Sequence, residues 1–375
     1  VGIDIHMNDS LSNDDTTNRG YWYNFVFLGT ACFDGKNPMT EEHFDTDQEQ
    51  YDYYSGLIQD RLVVESPLEI ASVYTTGDQV VYAYARVKNT SGAALNDVAM
   101  QFMVYEDLGA DEFHYICREI PAYETFSISP GQTLYFSEEI PMDSEDNLDN
   151  VGVLAFVQDR NSENFDVHQA CEAARGEATT WPEETIDTNW NWFSIPLAPL
   201  DANPADLLGF DCGGDLFRWD KYLKASIVYR PPFSKFDLSV GDSYLLMLDH
   251  IPGVSYVGAY PDSPFEFELG RQGWTWLGKP GADSLGYPDF MDSVQVQYPV
   301  GGEVRTAAQD RNAPDAWLSW GWAFWDAHLQ APKTFAPYAP FGNNVCYPWV
   351  GYRAYVRVGT AQDSGGPDQV TLIWP

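Results

Sequence analysis

Leu68-Glu69-Ile70-Ala71-Ser72-Val73-Tyr74 alternates with a two-residue period, and after the turn Thr76-Gly77-Asp78 the stretch from Gln79 to Lys88 does so again. Successive side chains of a strand point to opposite faces, so this alternation marks strands with one buried and one wet face. The pattern returns in Val98 to Glu106, Phe113 to Ile120, Thr133 to Ile140 and Val151 to Gln158, and Asn164 to Ala173 supplies a final strand. Turn signals at Asn89-Thr90-Ser91-Gly92 and Pro130-Gly131 separate the segments. Short alternating strands at this spacing predict an Ig-like β-sandwich over 63–174.

Upstream the periods are mixed. Val1 to His6 alternates like a strand, Asn8 to Asn18 is a polar loop, and Arg19 to Phe27 reads as a short helix. Gly29 to Phe33 is a short strand ending in an Asp34-Gly35 turn. Gln48 to Leu62 places apolar or aromatic residues at 51, 54, 57, 58 and 62, which predicts a helix, and Pro67 prevents its continuation. Val1 is expected to be a mature or truncated start, because no basic, apolar leader precedes the first strand.

Downstream, Gly176, Pro182 and several acids predict a linker over 175–188, followed by an internal repeat in 189–375. Asn189-Trp190-Asn191-Trp192-Phe193-Ser194-Ile195-Pro196 matches Gly273-Trp274-Thr275-Trp276-Leu277-Gly278-Lys279-Pro280. Trp219-Asp220, Leu223 and Ala225 match Trp325-Asp326, Leu329 and Ala331. Val240-Gly241 before Tyr244-Leu245 is matched with Val350-Gly351 before Tyr355-Val356. Three matches in one order predict two similar β units packed together. The fold class is therefore mainly β.

The chain carries 56 acids against 20 basic residues, a net charge of −36. Such a field repels nucleic acid and anionic lipid, so neither is expected as a partner. No run of ~18 apolar residues is present to insert in a membrane. No cofactor is expected. The charge favours solubility, divalent cations such as calcium, or a salty medium, yet Asp143 to Asp149 lacks the glycine and terminal glutamate of an EF-hand loop and reads as a plain loop.

No catalytic residue is expected. The six histidines form no HxxxH or HExxH pair, and no GxSxG or GxxxxGK[ST] occurs. His43 with Asp45 and Asp47 reads as an exposed loop rather than a metal site. The five cysteines contain no CxxC. Cys117 and Cys171 fall on strands of one sandwich, and Cys212 and Cys346 at comparable places in the repeats, so two disulfides are predicted with Cys32 left over. With the acidic, turn-rich β composition this places the chain outside the cell or on its surface. Trp317 and Trp320 lack repeat partners and are the candidates for a sugar-stacking platform, whereas the repeated tryptophans read as shared core. Asn8-Asp9-Ser10 and Asn89-Thr90-Ser91 fit the glycosylation sequon.

Residues 1–173 resemble bacterial outer-membrane-associated proteins in which a thioredoxin-like domain precedes an Ig-like sandwich. The resemblance lies in Val1 to Asn8, Arg19 with Tyr21 and Tyr23, Gly29-Thr30, Phe33-Asp34-Gly35, Ser66 to Ile70, and Val87 to Thr90. Most specific is Ala155-Phe156-Val157-Gln158-Asp159 with His168-Gln169-Ala170. It implies that 1–62 is a partial thioredoxin-like α/β segment, beginning after the strand and helix that would carry CxxC. Ala31 stands in the slot of the family's cis proline, so redox chemistry does not carry over. Residues 189–375 resemble Trp-rich repeated β domains at the C-termini of secreted bacterial proteins.

The expected function is a structural, self-associating or adhesive component of an extracellular assembly. Its homo-oligomeric contact would use an N-terminal strand edge through Val1, Ile3 and Ile5. The alternatives are a carbohydrate-binding accessory module with a glycan partner, and a remnant of a thiol-disulfide oxidoreductase.

Overall fold

The computed structural model describes residues 14, 17, 31–33, 36–39, 46–109, 115–160, 166–209, 214–270, 272–299, 301–335, 345–346, 348–357 and 370–375. It is mainly β and divides into two compact units, Val1–Glu177 and Ala178–Pro375. The expected assembly edge at Val1, Ile3 and Ile5 and the sequon at Asn8 lie outside the described residues.

The first unit opens with a hairpin of β1 (Ala31–Phe33) and β2 (Lys36–Met39). Helix α1 (Asp47–Leu62) follows, its first turn capped by Thr46, whose Oγ1 accepts from Glu49 N at 3.2 Å. The sandwich strands are β3 (Leu68–Gly77), β4 (Val80–Asn89), β5 (Leu95–Glu106), β6 (Ile116–Glu119), β7 (Glu124–Ile128), β8 (Thr133–Pro141), β9 (Val151–Asp159), β10 (Val167–Glu172) and β11 (Ala174–Thr180). One sheet runs β10-β9-β5-β6, with β7 also on β5; in the other, β3 pairs with β4 and β4 with β8, and β11 joins β3 in parallel through Ala174 and Arg175. β4 alternates buried and half-buried residues along its whole length, as its sequence predicts. β5 is buried on both faces from Val98 to Glu106. One face meets the main core of Val81, Ala83, Val153 and Ile140; on the other, Met103 packs with Cys117 and Phe156.

Asn89 is fully buried, its amide donating to Ala93 O and Ile128 O at 2.8 and 3.1 Å. A sequon asparagine held this way is not free to carry a glycan. Buried Glu106 accepts from Arg118 Nε at 2.8 Å and from Asn147 N at 3.1 Å, so it anchors the acidic 143–149 loop.

The stretch expected as a linker is structured. β11 runs through it, a 3-10 turn covers Glu183–Thr185, and Trp181 and Ile186 are buried in the second unit's core. Two large apolar side chains among acids and proline suffice to dock it.

In the second unit the first repeat contains β12 (Asn189–Phe193), β13 (Ala198–Pro199), α2 (Pro204–Leu208), β14 (Leu216–Asp220), β15 (Ala225–Val228), β16 (Tyr244–Leu248) and β17 (Ser255–Ala259). Next come β18 (Phe265–Glu268), β19 (Gly273–Gly278), β20 (Leu285–Gly286), α3 (Tyr287–Ser293), β21 (Gln295–Tyr298), β22 (Glu303–Thr306), α4 (Ala307–Asn312), β23 (Leu318–Asp326), β24 (Ala331–Phe335), β25 (Val345–Cys346), β26 (Gly351–Val356) and β27 (Thr371–Trp374). The main sheets, β12-β16-β14-β15 and β19-β26-β23-β24, share one strand order and one connectivity, all antiparallel. The repeat read from the tryptophans is thus a repeat of topology. Asn189 and Gly273, which open the first strand, both have positive φ, as do Lys224 and Gln330 at the hairpin tips.

The third sequence match needs a new register. Phe193 pairs with Tyr244 and Leu277 with Tyr352, so Tyr244 is equivalent to Tyr352 and Gly241 to Trp349. Both Gly241 (φ 85°) and Trp349 (φ 64°) are left-handed. A tryptophan in this conformation is costly; here the indole stacks on Trp181 at 5.7 Å and its Nε1 donates to Thr179 Oγ1 at 2.9 Å.

Candidate functional site

The two repeats meet about a pseudo-twofold relation visible in reciprocal contacts. Ser194 N donates to Trp349 O at 3.0 Å, and Gly278 N to Gly241 O at 2.7 Å; each bond is the repeat-equivalent of the other. Trp192 meets its own equivalent, Trp276, with ring centroids 5.3 Å apart. On one side Trp219 stacks on Trp276 at 5.4 Å, and on the other the equivalent Trp325 approaches Trp192 at 6.3 Å. These four indoles are half-buried between the sheets. The shared-core expectation for the repeated tryptophans therefore becomes a shared interface between repeats. Arg353 adds its guanidinium over Trp192 and Trp274, at 5.4 and 4.4 Å.

The segment preceding the first strand of each repeat crosses to the other repeat's hairpin. Counting back five residues from Asn189 and from Gly273 reaches Glu184 and Glu268. Glu268 accepts from the Tyr222 hydroxyl at 2.6 Å; burial, then this hydrogen bond, pushes the phenol up to about 12. At the other hairpin the position of Tyr222 is held by His328, whose Nε2 meets Glu184 O at 3.0 Å and whose Nδ1 meets Asp187 Oδ2 at 3.0 Å.

Beside the Tyr222 contact, the first repeat is packed with charged side chains. Lys221 Nζ lies 4.6 Å from the centre of the Phe267 ring and is attracted to Asp242, Glu268 and Asp220. Burial drives the ammonium of Lys221 down and the carboxyl of Asp242 up, each tempered by the other's charge. Beside the His328 contact, the second repeat has a cleft of about 690 Å³. Phe324, Ala327, Pro348 and Val350 line its apolar part, and Glu184, Asp283, Asp326 and Lys333 line its polar part. Asp326 forms an ion pair with Lys333.

The expected site residues fall elsewhere. Trp317 is only 4% exposed, with the Arg305 guanidinium 4.0 Å over its ring and Tyr298 at 5.6 Å, so it is core and no sugar platform. Trp320 lies in β23, and its side chain is outside the described residues. Cys117, Cys171 and Cys346 are thiols. Cys117 lies on β6 and Cys171 on β10, the opposite edges of a sheet ordered β10-β9-β5-β6. Three strand spacings, about 14 Å, exclude a bridge. The structural equivalent of Cys346 is Leu238, not Cys212, and both Leu238 and Cys346 are buried in their cores. Burial pushes the Cys346 thiol up to about 12. Cys212 lies outside the described residues.

Among the described residues no three His, Cys, Asp or Glu side chains gather as metal ligands, and no helix is long and apolar enough to cross a membrane. No protein-family model and no curated protein matches the chain. Among solved structures, HBP35 of Porphyromonas gingivalis is similar at 12% identity over 68% of this chain and 85% of its own, with a TM-score of 0.39. A domain of the outer membrane lipoprotein Omp28 from the same organism is similar at 17% identity over 30% of this chain and 89% of its own, with a TM-score of 0.23. A beta-glucosidase from Listeria innocua is similar at 19% identity over 30% of this chain and 16% of its own, with a TM-score of 0.19.

Proposed function

We propose that this chain is a non-catalytic structural or adhesive component of an extracellular or cell-surface assembly, associating with itself through an open strand edge. The observation that carries this reading is β8. It pairs with β4 over nine residues on one side and has no strand neighbour on the other among the described residues. Tyr135 is 56% exposed there, and Ser137 and Glu139 are exposed as well. A long strand at the border of a sheet is the usual template for adding a strand from another chain. The buried carboxylates support a scaffold: Glu106 holds a loop, and Asp310 accepts from Trp317 N and Leu318 N at 2.8 and 3.1 Å.

The acidity regulates the edge. Glu138 is held above the ordinary carboxylate range by burial and then by Glu124, so protonation comes early as pH falls and removes charge from β8. Light scattering over a concentration series in about 0.15 M salt, where charges beyond ~8 Å are screened, tests the reading. The expected result is a mass that rises with concentration, and more steeply toward acid, with Tyr135→Asp/Ser137→Asp remaining monomeric. A wild-type chain that is monomeric at every concentration and pH would overturn it.

A further inference from the structure

The duplication supplies an internal control for the cleft in the second repeat. At one hairpin the space between arm and sheet is filled; at the other it is open. The difference follows from four substitutions between equivalent positions. Arg218 is replaced by Phe324, Lys221 by Ala327, Asp242 by Val350 and Ile227 by Lys333. The first repeat thus seats the alkyl stem and ammonium of Lys221 within its own fold, among Phe267, Asp242 and Glu268. In the second repeat the lysine is an alanine, its stem's place is bordered by Phe324 and Val350, and the carboxylate equivalent to Glu268 is still present as Glu184.

The arms differ to match. Phe265–Glu268 is locked as β18 against β27. Its counterpart, residues 181–184, forms no strand and runs into the 3-10 turn at Glu183–Thr185, which the hairpin holds through His328 and which forms one wall of the cleft. Asp326 is already paired with Lys333, but Glu184 and Asp283 have no ion-pair partner among the described residues. The open cleft therefore joins an apolar channel to the carboxylates of Glu184, which has no cationic neighbour within salt-bridge distance among the described residues, and Asp283, which is attracted to the buried Lys279 without pairing with it, inside a chain whose net charge of −36 draws cations toward it.

We propose that this cleft binds a primary ammonium group on an aliphatic stem, as a lysine side chain presents it, in the place that Lys221 fills in the other repeat. A guest lysine would lay its methylenes along Phe324 and Val350 and direct its ammonium at Glu184 and Asp283. The site is independent of the β8 edge, since it lies wholly in the second unit.

Titration of the full chain with Nα-acetyl-lysine methylamide, followed by calorimetry in low salt, tests this. The norleucine analogue, which has the stem without the charge, and methyl glucoside serve as controls. The expected result is saturable binding of the lysine probe, at least tenfold tighter than either control. Glu184→Gln/Asp283→Asn should weaken it tenfold or more, with an unchanged far-ultraviolet spectrum. Ala327→Lys should abolish it by supplying the missing side chain from within. No saturable binding, undiminished binding by the two-carboxylate variant, undiminished binding by a folded Ala327→Lys chain, or a preference for the glucoside would each overturn the proposal.

Discussion

Gly351 faces Ser243, its own repeat-equivalent, so closely that a Cβ built on the glycine would stand 2.1 Å from Ser243 Oγ. Position 243 in one repeat and position 351 in the other share a single space, and only one of them can carry a side chain. The same holds at Ser194 and Gly278, where the added Cβ would stand 2.3 Å from Ser194 Cβ. A duplicated unit that packs on itself must break its sequence symmetry where it crosses its own axis, and these serine–glycine pairs do so.

This gives a compensation experiment. Gly351→Ala alone should destabilise the second unit by about 1–3 kcal/mol through overpacking. Ser243→Gly alone should cost ~0.5–1 kcal/mol in backbone entropy. Together they should cost less than their sum, because the clash is removed and only the tighter approaches to Phe193 O and N at 3.0 and 3.1 Å remain. All tryptophans except Trp22 lie at or beyond Trp181, so indole fluorescence in urea reports this unit. Strict additivity would show that the two positions do not share one space.

Trp317 separates a core role from a surface role. Its ring is buried beneath Arg305, whose guanidinium is also held by Glu303 and Asp315. Trp317→Ala should therefore cost ~3–5 kcal/mol of stability, the range for emptying a buried aromatic site. A loss below about 1 kcal/mol would place the ring at the surface and restore the platform reading.

The cysteines should behave as separate thiols. Alkylation before any reduction, followed by digestion, should recover Cys117 and Cys171 on separate modified peptides. Burial pushes the Cys346 thiol up to about 12 and the Cys171 thiol to about 11, so both should alkylate slowly near pH 8 in the native chain and rapidly in urea. A linked peptide containing Cys117 and Cys171 would contradict the sheet order that separates them.

Much of this architecture is legible in the sequence, because sandwich strands and Trp-bearing repeats are local patterns. The strands of the sandwich follow from period-two alternation. β7 does not, since Glu124 to Ile128 buries only Ile128 and offers little alternation to read. The register of the second repeat is hidden because Trp349 occupies a backbone conformation that glycine occupies at 241. The arms are hidden for a different reason. Trp181 and Ile186 bury themselves through partners remote in the chain, and nothing local distinguishes such a segment from an acidic linker. Likewise the exposed-platform expectation at Trp317 fails because Arg305 covers it from a strand that sequence spacing does not connect to it. The cleft has one signal in the sequence: with Trp219 aligned on Trp325, the lysine that follows Asp220 is an alanine after Asp326.

His328 makes the contact beside that cleft sensitive to pH. An acceptor faces each ring nitrogen, the Asp187 carboxylate at Nδ1 and Glu184 O at Nε2, and only the doubly protonated ring donates to both. The hydrogen bond to Asp187 and then that to Glu184 O raise its folded pKa above the ordinary 6.5. Asp326 adds a smaller attraction, and the same pairing lowers Asp187. A group whose pKa rises on folding contributes fully below its unfolded value and loses that contribution as pH climbs through the folded one. The 3-10 arm should therefore be held most firmly below about pH 6.5 and should loosen as the pH climbs through the raised folded value. The ring is half exposed, so the effect is modest and concentrated in the arm. Amide exchange at Glu184 to Asp187, measured at several pH values, should speed up over this window in the wild-type chain beyond the intrinsic base-catalysed trend. His328→Gln should follow the intrinsic trend alone. If the two chains show the same pH dependence, the imidazolium is not what holds the arm.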